Sequence, residues 1–164
     1  MLSRRQLLAA SPTTLPIFLA LNGCGGPAVL NGPPPVSDQT TMLLHAVTTE
    51  QNLIWIYNKA VVTYSSLAPT LSPLLAEHES HLAQLRGRVI EPPGRRVPLA
   101  VTAKPAIGGT EAAALAQLRT AERAAIATLM SRLGGASGSL AQLYASIAAS
   151  EATHVTTLTS RIGS

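Results

Sequence analysis

Apolar residues after position 38 recur at intervals of three and four, the spacing that one face of an amphipathic α-helix produces. Four segments show this pattern, and none shows the two-residue alternation of a β-strand. The first segment is predicted to run from about Gln39 to between Thr63 and Ser66, with Ser37 or Asp38 as its N-cap. The pattern therefore predicts an all-α fold.

The second segment ends at Gly87, and two starts are open for it. Pro73 is compatible with the first turn of a helix, behind Ser72, and with a kink in a helix that begins near Leu67. The third segment is predicted to start after Thr110 and stop at Gly134-Gly135, and the fourth to start after Ser139 and stop at Gly163.

Each segment has one predicted core-facing stripe. The stripe positions are Leu43, Val47, Glu50, Ile54, Tyr57, Val61 and Tyr64 in the first segment; Leu71, Leu74, His78, His81 and Leu85 in the second; Leu115, Leu118, Glu122, Ile126, Leu129 and Leu133 in the third; and Leu140, Leu143, Ile147, Glu151, His154 and Leu158 in the fourth.

A long connection separates the second and third segments. Residues 88–109 hold four prolines and three glycines, a composition typical of a loop. Short, long and short connections in that order suit a four-helix bundle with one crossover. We expect this bundle to occupy residues 38–164.

The first 24 residues have the layout of an export signal. Arg4 and Arg5 precede a modest apolar run, which is too short and too interrupted by Pro12 and Pro16 to span a bilayer. The paired arginines resemble the twin-arginine export signal. The run ends at Cys24, the only cysteine, in a context that resembles a bacterial lipobox.

Lipid attachment at Cys24 would supply the hydrophobic signals that stable membrane anchoring takes. Residues 25–37 would then form a Gly/Pro tether between the lipid and the bundle. The expected location is the extracytoplasmic face of the cell membrane. An ordinary signal peptide with an incidental cysteine remains the alternative.

Composition narrows the function classes. The chain is 46% hydrophobic, which excludes a disordered tail, and one cysteine excludes a disulfide scaffold. The net charge of +4 includes two arginines of the signal, and no dense basic run remains for nucleic acid. The chain shows neither a Ser/His/Asp order nor a Gly-rich phosphate loop, so a conventional metal-free enzyme has least support.

Polar residues occupy core positions of all four segments. The chain holds only eight acidic residues and four histidines. Half of these twelve fall on the predicted stripes, where an unpaired charge is costly. They are Glu50, His78, His81, Glu122, Glu151 and His154. The off-stripe residues His45, Glu77 and Glu79 are interpreted as solvated.

The spacing of these residues indicates an internal duplication of helix pairs. Glu50 precedes His81 by 31 residues, and Glu122 precedes His154 by 32. In each half, a glutamate on the first helix is followed by a polar pair at positions i and i+3 on the second. Such a repeat places a two-fold site between the pairs.

This pattern resembles the ligand set of the ferritin-like di-metal carboxylate proteins, in which Glu on helices one and three joins Glu-x-x-His on helices two and four. The resemblance covers residues 38–164 and extends to the ferritin-like domains of unknown function of exported bacterial proteins. It implies that Glu50, His81, Glu122, Glu151 and His154 are metal ligands, and we predict His78 as the sixth ligand. His78 replaces the expected helix-two glutamate. A di-iron centre uses four carboxylates to offset the charge of its two cations, whereas this set has three. A single ion, or a pair of divalent ions, is therefore more plausible here than a di-iron centre.

The resemblance implies one or two transition-metal ions, iron or manganese ahead of zinc or copper. An enzyme of this kind would be a metal-dependent oxidase or peroxidase. The alternative is a metal-free hydrogen-bonded core in a structural or interaction module, with a homodimer or an envelope protein as its partner. Tyr57 and Tyr144 are interpreted as aromatic packing.

Overall fold

Four α-helices make up most of residues 36–90 and 104–163, the part of the chain that this computed structural model describes. They are α1 (Asp38–Thr63), α2 (Ala68–Arg86), α3 (Glu111–Ser131) and α4 (Gly138–Ile162). Two short 3₁₀ turns, Ser65–Leu67 and Leu133–Gly135, follow α1 and α3. The described ranges hold no strand, so the predicted all-α class with four helices is confirmed.

Several predicted features lie outside the described residues. They are the export signal in residues 1–24, the lipidation site Cys24, the tether up to residue 35 and the middle of the long connection, residues 91–103. Within the described ranges, no helix is long and apolar enough to cross a bilayer.

Side-chain caps fix the starts of two helices. The Ser37 hydroxyl accepts a hydrogen bond from the Thr40 amide at 3.1 Å, and the Thr110 hydroxyl accepts one from the Ala113 amide at the same distance. Each cap satisfies an amide that the helix leaves unpaired. Both α1 and α3 therefore begin at the predicted positions.

Of the two starts that the sequence left open for α2, the earlier one is found. The helix begins at Ala68 directly after a 3₁₀ turn, with a proline in its first turn, and Pro73 lies inside it.

Two other boundaries differ slightly from the prediction. The α-helical part of α3 ends at Ser131, before the glycine pair, and α4 begins at Gly138, before Ser139.

Two apolar clusters fill the bundle. We call the first the Leu118 cluster; its buried members are Leu53, Ile56, Tyr57, Ala60, Leu67, Leu71, Leu74, Leu115, Leu118, Ala125 and Leu158. We call the second the Tyr144 cluster; its buried members are Leu43, Ala46, Val47, Leu85, Leu129, Leu140, Leu143, Tyr144, Ile147 and Ala148.

The parts of each helix that contribute to the two clusters show whether the helices run parallel or antiparallel to one another. The Leu118 cluster takes residues from the C-terminal halves of α1 and α4 and the N-terminal half of α2, and on α3 it extends from Leu115 to Ala125, just past the middle of the helix. The Tyr144 cluster takes residues from the opposite halves. Therefore α1 runs parallel to α4, and both run antiparallel to α2 and α3.

The connection between α2 and α3 joins opposite ends of the bundle. Val89, after α2, packs against the Tyr144 cluster, whereas Ile107, before α3, packs against the Leu118 cluster. The returning chain is held to α1, since Tyr64 Oη donates to the Gly108 carbonyl at 2.6 Å. A Cβ on Gly108 would lie 2.7 Å from the Ala113 carbonyl carbon, so only glycine fits there.

The predicted stripes are confirmed on α2 and α4, where every stripe position is buried. In the stripe predicted for the first segment, however, Ile54 and Val61 of α1 and Tyr64 just after it are only half-buried. Leu53 and Ala60 are buried instead. Apolar residues occur at both sets of positions, so spacing alone could not choose between the two sides of the helix.

The stripe predicted for α3 is wrong at two positions. Ile126 and Leu133 are half-buried, and the preceding small residue Ala125 is buried. Ala125 and Ile126 are both apolar, so their spacing does not show which of the two faces the core.

Candidate metal centre

All six predicted site residues lie in one buried layer of the bundle. α1 contributes Glu50, α2 contributes His78 and His81, α3 contributes Glu122, and α4 contributes Glu151 and His154. Each is at most 7% exposed. On α1, α2 and α4 these residues fall between the positions that belong to the two apolar clusters. Leucine-rich packing therefore flanks the layer on both sides along these three helices.

His78 lies at the centre of this layer. Its Nδ1 is 2.9 Å from Glu50 Oε2, and its Nε2 is 2.8 Å from Glu122 Oε1. Burial lowers the pKa of His78, but the hydrogen bonds to the two carboxylates outweigh it and raise the pKa to about 9. In the metal-free protein His78 is therefore an imidazolium at neutral pH, donating from both nitrogens.

Glu122 gathers hydrogen bonds on one oxygen. Besides His78, its Oε1 accepts from Tyr57 Oη at 2.5 Å and lies 3.2 Å from His154 Nδ1. Burial raises the pKa of Glu122, but the bonds from His154, His78 and Tyr57 lower it to about 2. Burial and the charge of Glu122 raise the pKa of Tyr57, so its hydroxyl stays protonated. The packing interpretation of Tyr57 is thus incomplete, because its hydroxyl also stabilises the Glu122 carboxylate.

Glu151 has the opposite environment. Neither of its carboxyl oxygens has a hydrogen-bond partner, although the residue is fully buried. Burial, together with the charges of Glu50 and Glu122, raises the pKa of Glu151 to about 9. Glu151 is therefore an uncharged carboxylic acid in the metal-free protein at pH 7.

His81 stands beside Glu50 without bonding to it. The distance from His81 Nδ1 to Glu50 Oε1 is 3.6 Å, too long for a hydrogen bond. This nitrogen is buried and has no hydrogen-bond partner.

One residue of the site was missed by the sequence reasoning. Glu77 was predicted to be solvated, yet its Oε2 lies 3.0 Å from His154 Nε2 and accepts from Ser150 Oγ at 2.7 Å. Its side chain is 51% exposed. Glu77 thus links solvent to the buried layer across the seam between α2 and α4. The contact of Glu77 with His154 depends on how α2 packs against α4, and no motif in the sequence indicates it.

Two groups of side chains in this layer could each hold a metal ion. One is Glu50, His78 and His81, and the other is His78, Glu122 and His154. Within each group the ligand atoms lie within 4.8 Å of one another. Glu151 belongs to neither group but lies near enough to Glu50 and Glu122 for their charges to shift its pKa.

The unpartnered atoms of the layer fit a metal. Buried polar atoms are nearly always satisfied by a partner. Here four ligand-type atoms have none: His81 Nδ1, Glu122 Oε2 and both carboxyl oxygens of Glu151. Imidazole nitrogens and carboxylate oxygens are the donors that first-row transition metals take.

Comparisons with protein-family models, curated proteins and solved structures found no match to this chain.

Proposed function

We propose that the protein binds one or two transition-metal ions in the buried Glu/His layer. One observation carries this proposal: four ligand-type atoms are buried without hydrogen-bond partners, within or beside two close groups of imidazoles and carboxylates. An ion there would satisfy these atoms and offset the burial and the like-charge interactions that keep Glu151 protonated.

We further propose that the bundle is ferritin-like. Two features support this: α1 and α4 run antiparallel to α2 and α3, and the connection joins opposite ends of the bundle. The positions of Glu50, Glu122, Glu151 and His154 agree with the ligand pattern of such proteins. An oxidase or peroxidase activity is the enzymatic form of this proposal, with iron or manganese as the ion.

The proposed location is the outer face of the cell membrane, with lipid on Cys24 as the anchor. The paired Arg4 and Arg5 and the sequence that ends at Cys24 support it.

A metal-free polar core is the competing proposal. It is favoured by His78, whose two ring nitrogens are each hydrogen-bonded to a carboxylate. Such a network would set helix register in a structural or interaction module.

Glu151→Gln separates the two proposals. Glutamine matches the shape of the uncharged acid and does not ionise in the unfolded state, so the metal-free protein should stay folded and gain stability at pH 7, while a charged ligand is lost. The experiment measures metal content and affinity of the purified full chain after incubation with iron, manganese, zinc or copper. Glu79→Gln, an exposed change on α2, is the control.

The metal proposal predicts one or two equivalents in the wild type and in Glu79→Gln, with weaker binding in Glu151→Gln. Absence of binding by the wild type to all four metals would contradict it and leave the polar core. Oxygen and peroxide turnover are then assayed on the loaded protein.

A further inference from the structure

The two candidate ligand groups overlap in a single residue. His78 belongs to both, and each of its ring nitrogens faces a different carboxylate. Nδ1 is directed to Glu50, the neighbour of His81, and Nε2 is directed to Glu122, the neighbour of His154. Because the two nitrogens lie on different sides of the ring, one imidazole can serve two ions at once.

The charges of the layer support the same arrangement. Its three buried carboxylates, Glu50, Glu122 and Glu151, supply three negative charges against the four positive charges of two divalent ions. The fourth carboxylate of the site, Glu77, is half-exposed on the outer side of His154, where solvent screens its charge. An imidazole that has lost both ring protons is an anion, and it supplies the fourth negative charge. Charge balance in a buried, water-poor site matters because uncompensated charge there is costly.

We propose that His78 bridges two divalent metal ions as an imidazolate. Glu50, His81 and His78 Nδ1 form one half of the centre, and Glu122, His154 and His78 Nε2 form the other. Glu151 is an added carboxylate near both halves. This inference rests on the proposed metal binding and specifies its geometry.

The loading step balances in charge and protons. Two divalent ions take the lone pairs of Nδ1 and Nε2, and the imidazolium of His78 releases its two ring protons to solvent. Glu151 releases one more as it becomes a carboxylate. No oxidant or reductant is required. A bridging nitrogen donor favours copper(II) and zinc(II) over manganese(II), which prefers oxygen ligands.

Copper(II) titration of the full chain, followed by electron paramagnetic resonance, tests the bridge. The first equivalent should give the signal of an isolated ion. The second equivalent of copper(II) should diminish the signal of the isolated ion, because the unpaired electrons of the two ions couple through the imidazolate. Protein loaded with one copper and one zinc should show the isolated signal again, since zinc(II) has no unpaired electron. This comparison needs no mutation and does not depend on the folding of a variant.

His78→Gln is the matched variant, and His45→Gln, which changes an exposed histidine of α1, is the control. The control should retain the coupled signal. His78→Gln should either bind a single equivalent or hold two uncoupled ions.

Three results would overturn the bridge while leaving the proposed metal binding in place. They are saturation of the wild type at one equivalent, two equivalents whose signals add without coupling, and binding of iron or manganese but of neither copper nor zinc. Failure to bind any of these metals would overturn both proposals.

Discussion

At the scale of single residues, the polar layer is defined by opposite pKa shifts of two buried carboxyl groups. Three hydrogen-bond donors lower the pKa of Glu122 to about 2, whereas burial and the charges of Glu50 and Glu122 raise the pKa of Glu151 to about 9. Closely spaced titratable groups with divergent pKa values are typical of functional sites. The metal-free layer is therefore balanced by protons that an incoming cation would displace.

The stability of the metal-free protein should fall from mildly acidic to alkaline pH. His78, with its pKa raised from 6.5 to about 9, stabilises the fold below pH 6.5, and this contribution is lost as pH rises toward 9. Glu151 acts in the same direction, because the folded state keeps a proton that the unfolded state loses near pH 4.5. Below pH 4.5 stability falls as well, since Glu122 must then be protonated.

Urea unfolding in the presence of a chelator at pH 5, 7 and 9 measures this dependence. Glu151→Gln should flatten part of the slope, because one of the two groups no longer titrates. A free energy of unfolding that rises from pH 5 to pH 9 would contradict the protonation states given to His78 and Glu151.

Tyr57→Phe should destabilise the protein more than Tyr64→Phe. Tyr57 donates to a buried carboxylate, whereas Tyr64 donates to the neutral Gly108 carbonyl in a half-buried position. Hydrogen bonds to charged groups contribute about 1.5–3 kcal/mol and neutral ones about 0.5–1.5 kcal/mol. Equal costs in urea unfolding at pH 7 would show that the Glu122 carboxylate does not depend on the Tyr57 hydroxyl.

At the scale of helices, the sequence predicts α2 and α4 better than α1. On α2 and α4 the leucines lie on the same side of the helix as the buried Glu and His residues, so the spacing identifies the buried face. On α1, Leu53 and Ile54 are both apolar, as are Ala60 and Val61. The choice between them depends on where α2 and α3 lie around α1, which is tertiary information.

The seam between α2 and α4 explains why Glu77 escaped prediction. It lies next to His78 in sequence but points to a different side of α2, where α4 presents Ser150 and His154. A carboxylate that accepts from one ring nitrogen of a histidine fixes the orientation of the other, a common support for metal ligands.

Glu77→Ala should therefore weaken metal binding without removing it. The expected loss is about 10–100-fold in affinity, the usual effect of such supporting residues. Competition with a chromophoric chelator measures the affinity. Glu79→Ala, two residues along the same helix and also exposed, should retain the wild-type value. Equal affinities of the two variants would exclude the supporting role of Glu77.

At the scale of the whole molecule, the structure gathers the polar residues of both halves of the sequence into one buried layer. Glu50 and His81 in the first half, and Glu122 and His154 in the second, lie in one polar layer. Four helices contribute to this layer, and apolar clusters lie on either side of it. The gathering of these residues was predictable because each lies on an otherwise apolar helical face. Which nitrogen faces which carboxylate was not, since that depends on side-chain rotamers and helix rotation.

Metal-dependent stability of the full chain tests the central claim most directly. A ligand that binds only the folded state raises the free energy of unfolding, by about 2.7 kcal/mol at a free concentration 100 times its dissociation constant. We predict that zinc, copper, iron or manganese raises the unfolding midpoint and that a chelator reverses the increase. An unchanged midpoint with every one of these metals would contradict a metal centre in the Glu/His layer.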